Sequence, residues 1–297
     1  MKRIFSFALL ALTLIASRAE AKLNVACSYP WIADLASKIG GDRVSVSSLS
    51  RGSWNPHFVV PRPSLIVRAR EADLLIINGA QLEIGWLPPV VRESRNPNIQ
   101  QGTHGLLDLS TAVRLIDKPV DVSRSGGDVH PDGNPHYALD PHNIIPLSSA
   151  VAARYALIDP EGAAMYESNL SVFQTEWNKR LAAWDSRLSL LRGMKAVSYH
   201  SLYNYFARRY GIVLVGTVEP LPGIPPSSRH MESLVDRSRV EKLTLVLQDV
   251  YNPAGPSRML AGKTGARLVV LPHDVGSVPE ANDLFGLFDS IAGRLER

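Results

Sequence analysis

Between residues 22 and 78, short apolar runs alternate with amphipathic ones. Residues 23–26, 44–46 and 73–78 read as strands, and residues 31–39 and 63–70 as helices. The last strand, Asp73-Leu74-Leu75-Ile76-Ile77-Asn78, is apolar along its length instead of alternating, as a strand covered on both faces should be. Strand and helix taking turns in this way builds a mostly parallel sheet with helices outside it. Gly40-Gly41 supplies a flexible C-terminal cap for the first helix. A further cycle is expected from a helix over 86–92 and a strand over 112–116.

Residues 117–134 are rich in Asp, Ser, Gly and Pro and carry no sustained period, so they read as a loop, long enough to be functional or mobile. At Asp140-Pro141 the carboxylate can accept free helical N–H groups while Pro occupies the first turn, which predicts a helix start. A second start at Asp159-Pro160-Glu161 opens an amphipathic run to about residue 191 with no Pro or Gly after Gly162. About thirty helical residues span on the order of 45 Å, longer than a typical domain helix. Beyond Gly193 the alternation resumes, with strands expected at 195–199, 212–216, 244–248 and 267–271 and helices at 203–210, 231–239, 257–264 and the C-terminus. The expected fold is α/β: two lobes, each with a mostly parallel sheet flanked by helices, joined by one long rigid helix. Residues 22–158 form the first lobe, 159–192 the link and 193–297 the second lobe.

The chain has 297 residues, 45% of them hydrophobic and 20% charged, which suits two packed cores and argues against disorder. Lys2 and Arg3, the apolar stretch 4–15 and Ala19-Glu20-Ala21 read as an export signal over 1–21, with the mature protein starting at Lys22. The stretch is too short for a permanent membrane span, which needs roughly 20 residues. A lipid-anchored precursor would carry a cysteine at the cleavage point, whereas Cys27 lies inside the first strand, so a soluble periplasmic protein is expected. Losing Lys2, Arg3, Arg18 and Glu20 with the signal lowers the formal charge from +4 to +2, and no dense basic tract remains, so nucleic acid is not an expected partner. Cys27 is the single cysteine, which excludes an intrachain disulfide and a cysteine-based metal site. A metal would have to be held by histidine and carboxylate.

There are eight histidines, and three stand at informative places. His57 follows the strand at 44–46, His200 ends the strand at 195–199, and His136 lies in Asn134-Pro135-His136-Tyr137 after the long loop. In open α/β sheets ligands bind at the carboxyl ends of strands, so these three can converge, with Asp274 after the last strand as an oxygen donor. A lone histidine after a strand is nevertheless more often a hydrogen-bonded loop residue, and ligands about 60 to 80 residues apart cannot be verified by spacing, unlike a helical H-E-x-x-H pair.

The segment Asn55-Pro56-His57-Phe58-Val59-Val60-Pro61-Arg62-Pro63-Ser64, with Ala72-Asp73-Leu74 and Asn78-Gly79, resembles the first ligand segment of the zinc and manganese solute-binding proteins of ABC importers, the ZnuA/TroA-like group. Gly127-Asp128-Val129-His130-Pro131, Asn134-Pro135-His136-Tyr137-Ala138-Leu139-Asp140-Pro141 and Ser198-Tyr199-His200-Ser201 are similar to its second and third segments. The resemblance covers essentially the whole mature chain. It implies metal ligation by His57, His136, His200 and Asp274, with His273, Asp249 or water as alternatives to Asp274. Three imidazoles and one carboxylate suit tetrahedral Zn²⁺. Manganese binders of the group tend to carry Glu where His200 stands, and the harder Mn²⁺ prefers oxygen, so His200 points to zinc.

Many zinc members carry a long His-rich acidic insertion before the second ligand; here that loop holds only His130, with Asp121, Asp128 and Asp132, and is expected to be a plain connection. Glu219 and Asn143 are candidates for contacting the ligands, Asp140 for capping a helix, and Trp177 and Trp184 for packing. His142, His104 and His230 read as structural or exposed. The resemblance implies a non-enzymatic, monomeric protein that captures Zn²⁺ and delivers it to an ABC-type permease, with a periplasmic zinc chaperone as a further candidate partner. A manganese binder is the alternative; an exported zinc hydrolase using Glu219 as base, or an adhesin or metallochaperone, are rivals. Free imidazoles imply an affinity that falls below about pH 6.5.

Overall fold

A computed structural model describes residues 22–120 and 130–296. The export signal expected at 1–21, together with Asp121 and Asp128, lies outside the described residues. The order of elements begins β1 (Leu23–Cys27), α1 (Pro30–Gly40), β2 (Val44–Ser48), α2 (Pro63–Glu71), β3 (Leu74–Ile77), α3 (Leu87–Ser94), β4 (Leu106–Asp108) and α4 (Ile144–Ile158). It continues through α5 (Ala163–Leu188), β5 (Lys195–Ser198), α6 (Asn204–Tyr210), β6 (Val213–Thr217), α7 (Ser228–Glu241), β7 (Leu245–Gln248), α8 (Gly255–Thr264), β8 (Arg267–Val270) and α9 (Leu284–Glu296). Two four-stranded sheets result, in the orders β2-β1-β3-β4 and β6-β5-β7-β8, and every pairing is parallel. The two-lobed α/β architecture expected from the alternation is the one observed.

The strand expected at 112–116 is not formed. The edge strand is β4, three residues long, and its last residue Asp108 accepts the Ser110 N–H to start a 3-10 turn over Leu109–Ala112. Val113, Leu115 and Ile116 are apolar because they pack on the core as irregular chain, and the Ile116 N–H donates to the Tyr205 hydroxyl instead of to a ladder. The helix expected at Pro141 begins with a 3-10 turn over Pro141–Asn143, with Asp140 accepting the His142 N–H.

The linking helix α5 has 26 residues, flanked by 3-10 turns at Pro160–Gly162 and Ser189–Leu191. At 1.5 Å per residue it runs about 39 Å. Its buried stripe is Tyr166, Leu170, Phe173, Trp177, Leu181, Trp184 and Leu188, a spacing of three and four that keeps one face inward. That stripe packs on α1, α4 and α9, and one hydrophobic core runs from the first sheet through it to the second. Trp177 and Trp184 meet with ring centroids 5.1 Å apart. Among the described residues no helix is long and apolar enough to cross a membrane.

Candidate metal centre

The carboxyl ends of the two sheets deliver the chemistry. His57 follows β2, Asn78 follows β3, His200 and Glu219 follow β5 and β6, and His273 and Asp274 follow β8. His136 comes from the chain between β4 and α4, where three contacts pin it to the His200 segment. The Asn134 amide donates to the Ser201 carbonyl at 2.7 Å, the Tyr205 hydroxyl donates to the Asn134 carbonyl at 2.7 Å, and Arg209 pairs with Asp140 at 2.8 Å.

One ring nitrogen from each of His57, His136 and His200 lies within 4.8 Å of the others. His136 Nε2 and His200 Nε2 are 3.2 Å apart, within reach of a hydrogen bond between the two imidazoles and close enough for both to serve one ion. The remaining nitrogens are held from behind. His57 Nδ1 faces Asn55 Oδ1 at 3.1 Å, and His200 Nδ1 faces Glu219 Oε2 at 2.8 Å. A carboxylate on the far nitrogen orients the ring and leaves the Nε2 lone pair for a metal. His57 Nε2 is screened from solvent and has no hydrogen-bond partner, an orphaned acceptor that a cation would satisfy. Burial, then the neighbouring imidazoles, hold His57 and His136 well below the ordinary histidine range, so both are neutral and ready to ligate.

Asp274 is not part of this trio. Its Oδ1 accepts the Trp31 N–H at 2.8 Å and the Val275 N–H at 2.7 Å, at the start of α1. It does line one small cavity together with His136, Tyr29 and Trp31, and burial lifts its carboxyl to about 8. His273 gives Nε2 to the Trp54 carbonyl at 3.1 Å. Asp249 is occupied by the N–H groups of Tyr251 and Asn252 and by the Asn252 amide. Asn143 donates to the Tyr137 carbonyl at 2.9 Å and does not reach the trio. His142 is half-buried against Asp185, instead of exposed.

His130, expected in a plain connection, stands beside the site. Its ring centroid is 5.3 Å from that of His57, and both ring nitrogens are screened from solvent. A lone histidine in a polar loop carries no periodic or spacing signal, which is why its place was not legible.

The family profile described as "Zinc-uptake complex component A periplasmic" (ZnuA) matches residues 25–297. The chain is 24% identical over 245 residues to the iron ABC transporter substrate-binding lipoprotein MtsA of Streptococcus pyogenes serotype M1, covering 75% of this chain and 76% of that protein. It is 24% identical over 227 residues to the manganese ABC transporter substrate-binding lipoprotein PsaA of Streptococcus pneumoniae serotype 4, covering 75% and 70%. The crystal structure of ZnuA superposes with a TM-score of 0.75 at 24% identity, covering 92% of this chain and 99% of that one. The fold, the matched profile and a preformed cluster of three imidazoles agree, and the chain belongs to the ZnuA family, the periplasmic metal-binding components of ABC metal importers.

Proposed function

We propose that this protein captures Zn²⁺ with His57, His136 and His200, completes the shell with Asp274, and delivers the ion to an ABC-type permease. The observation that carries the choice of zinc is the donor set. Among the described residues the group within mutual reach is three imidazoles with no carboxylate, and nitrogen sites rank Zn²⁺ well above Mn²⁺ and Fe²⁺. The relatives named for iron and manganese make those metals the competitors to test. Glu219, the base a hydrolase would need, is occupied by His200 Nδ1 and by the Gly223 N–H at 3.1 Å, which favours storage of an ion over activation of water. In this reading residues 1–21 direct export and are removed, and the lobes 22–158 and 193–297 form the two walls of the site, joined by 159–192. The protein acts as a monomer that takes zinc from solution or from a periplasmic zinc chaperone. Cys27 is fully buried in β1, which is no place for the lipid carried by the relatives named as lipoproteins.

Chelator competition on the demetallated chain from Lys22 onward tests this. One zinc site is expected, with zinc bound at least about a hundredfold more tightly than manganese, in keeping with nitrogen ligation. Equal affinities, or manganese ahead, would overturn the zinc reading.

The pH profile tests the fourth donor. His57 and His136 are already neutral well below 6.5, so the fall through about pH 6.5 expected of free imidazoles moves to lower pH for these two. Asp274 carries a proton below about 8 and must lose it to ligate. If it ligates, zinc affinity climbs about tenfold per pH unit from about pH 6 to 8, and Asp274→Asn flattens that climb. A wild-type profile level across this range would remove Asp274 from the shell.

A further inference from the structure

The end of β3 carries an arrangement that ligation by three imidazoles does not require. Gly79, Ala80 and Gln81 take positive φ in succession, at 76°, 49° and 62°. Left-handed backbone at two consecutive non-glycine residues is strain that persists only where the surroundings impose it, and such strain collects at functional sites. Gly79 itself admits no side chain, because a Cβ there would run into the Asp108 carboxylate.

The residue that imposes the turn is Glu83. Its Oε1 accepts the Asn78 N–H at 2.7 Å and its Oε2 accepts the Gly79 N–H at 3.1 Å. Glu83 is 4% exposed, and no cation lies among the groups that set its charge. Asn78, gripped on its main chain by Glu83, extends its own side-chain amide to the Pro135 carbonyl at 3.1 Å. Its carbonyl accepts the Tyr137 hydroxyl. Pro135 and Tyr137 are the two neighbours of His136, so one buried residue grips the metal segment on both sides of its imidazole.

We propose that Glu83 and Asn78 are positioning residues of the metal site, fixing His136 at the separation from His200 that a single ion requires, and that ionised Glu83 is the form that does so. This rests on the reading of His136 as a metal ligand. Two N–H groups face two carboxylate oxygens, so both bonds are strong only while the group is charged. Protonating either oxygen weakens one of the two bonds and loosens the Asn78 main chain that carries the grip. Burial lifts this carboxyl to about 7, which puts the change inside the range a periplasmic protein meets. The two tyrosines beside it do not titrate with it. Ser28, just after β1, contributes a hydroxyl that meets Glu83 and also accepts the Asn78 N–H at 3.1 Å, and Tyr29 at the start of α1 and Tyr137 have phenols raised well above their ordinary value by burial. Asp108, at the end of β4, stands across Gly79 from it.

The test is zinc affinity by chelator competition between about pH 5.5 and 8.5 for wild type, Glu83→Gln and Tyr137→Phe, each checked for cooperative melting. Taking the ratio of variant to wild-type Kd at each pH cancels the protonation of the imidazoles and of Asp274. For Glu83→Gln the ratio is expected to be about tenfold or more at the alkaline end, the cost typical of losing a group that orients a ligand, and to shrink toward one below about pH 6. A carboxyl serving only as scaffold would give a ratio that does not change with pH, and that result overturns the proposal. Tyr137→Phe keeps the ring in the core and removes one bond of the grip, so a weaker site supports the proposal and wild-type affinity overturns it, including in the case where Glu83→Gln fails to fold. The metal reading fails separately: His200→Ala matching wild type in the same assay would remove the trio as a zinc site, whereas a tight His200-dependent site with both variants at wild-type affinity removes only the grip.

Discussion

Replacing His200 with alanine is expected to weaken zinc binding by two to three orders of magnitude, on the order of 3 to 4 kcal/mol, while the protein stays folded. The magnitude follows from spreading an apparent 10 to about 16 kcal/mol for a full tetrahedral shell over four donors. His200 sits at the centre of the arrangement, with Nε2 3.2 Å from His136 and Nδ1 backed by Glu219 at 2.8 Å. Removing it takes a donor from the ion and leaves the Glu219 carboxylate, 11% exposed, with only the Gly223 N–H of the two partners named above. The oxygen that loses its imidazole partner costs some stability, about 1 to 3 kcal/mol; His200 lies just after β5 with its ring against those of His57 and His136. Isothermal competition against a chelator, with a melting curve as control, separates the two effects. A change in Kd below about threefold in a folded variant would mean that the three imidazoles do not act on one ion.

Trp177→Ala is expected to have the largest effect on stability. Trp177 is fully buried on the inner stripe of α5, stacked on Phe173 at 5.5 Å and touching the rings of Trp184, Phe285 and Phe288 within 5.6 Å. Truncating a buried tryptophan costs about 3 to 5 kcal/mol through lost burial and the cavity it leaves. The indole N–H also donates to the Pro141 carbonyl at 2.9 Å, and losing that bond adds about 1 kcal/mol. For a protein of this size each kcal/mol moves Tm by about 2 to 4 °C, so a fall of roughly 10 °C is expected in a calorimetric scan. The same bond ties α5 to the turn that follows His136, so metal affinity should fall with it. A Tm within about 3 °C of wild type would show that the linking helix is held by other contacts.

The alternation of strand and helix was legible because parallel strands buried on both faces are apolar along their length, as β3 is throughout and β7 is up to its last residue, Gln248. Helix ends marked by chemistry also fell where expected, as at Gly211 and Gly265, which close α6 and α8 in the left-handed conformation. The misplaced strand at 112–116 shows where pattern misleads. Chain that packs on a core without pairing carries the same apolar signature as a strand, and only the absence of a ladder tells them apart. The three histidines were nameable from two strand ends, one loop and the likeness of their segments, whereas His130 was named within its loop but given no ligand role, since a single imidazole in a polar loop has no pattern to announce one. Glu83 was equally hidden, because it binds backbone N–H groups, and those look alike in every sequence.

The sequence by itself determined the two-lobed α/β architecture, the long linking helix, the exclusion of cysteine from any metal site and the three imidazoles most worth testing. Those properties depend on local periodicity, on composition and on residue type, and all three are written along the chain. Only the tertiary structure decided that His57, His136 and His200 share a space narrower than 5 Å, that Glu219 backs His200, that His130 leans on His57, and that Asp274 rests on the N-terminus of α1. The reason is one of distance. Convergence of residues far apart in the chain is set by how two sheets and one helix stack, and that stacking is a sum of many weak contacts that no short segment encodes.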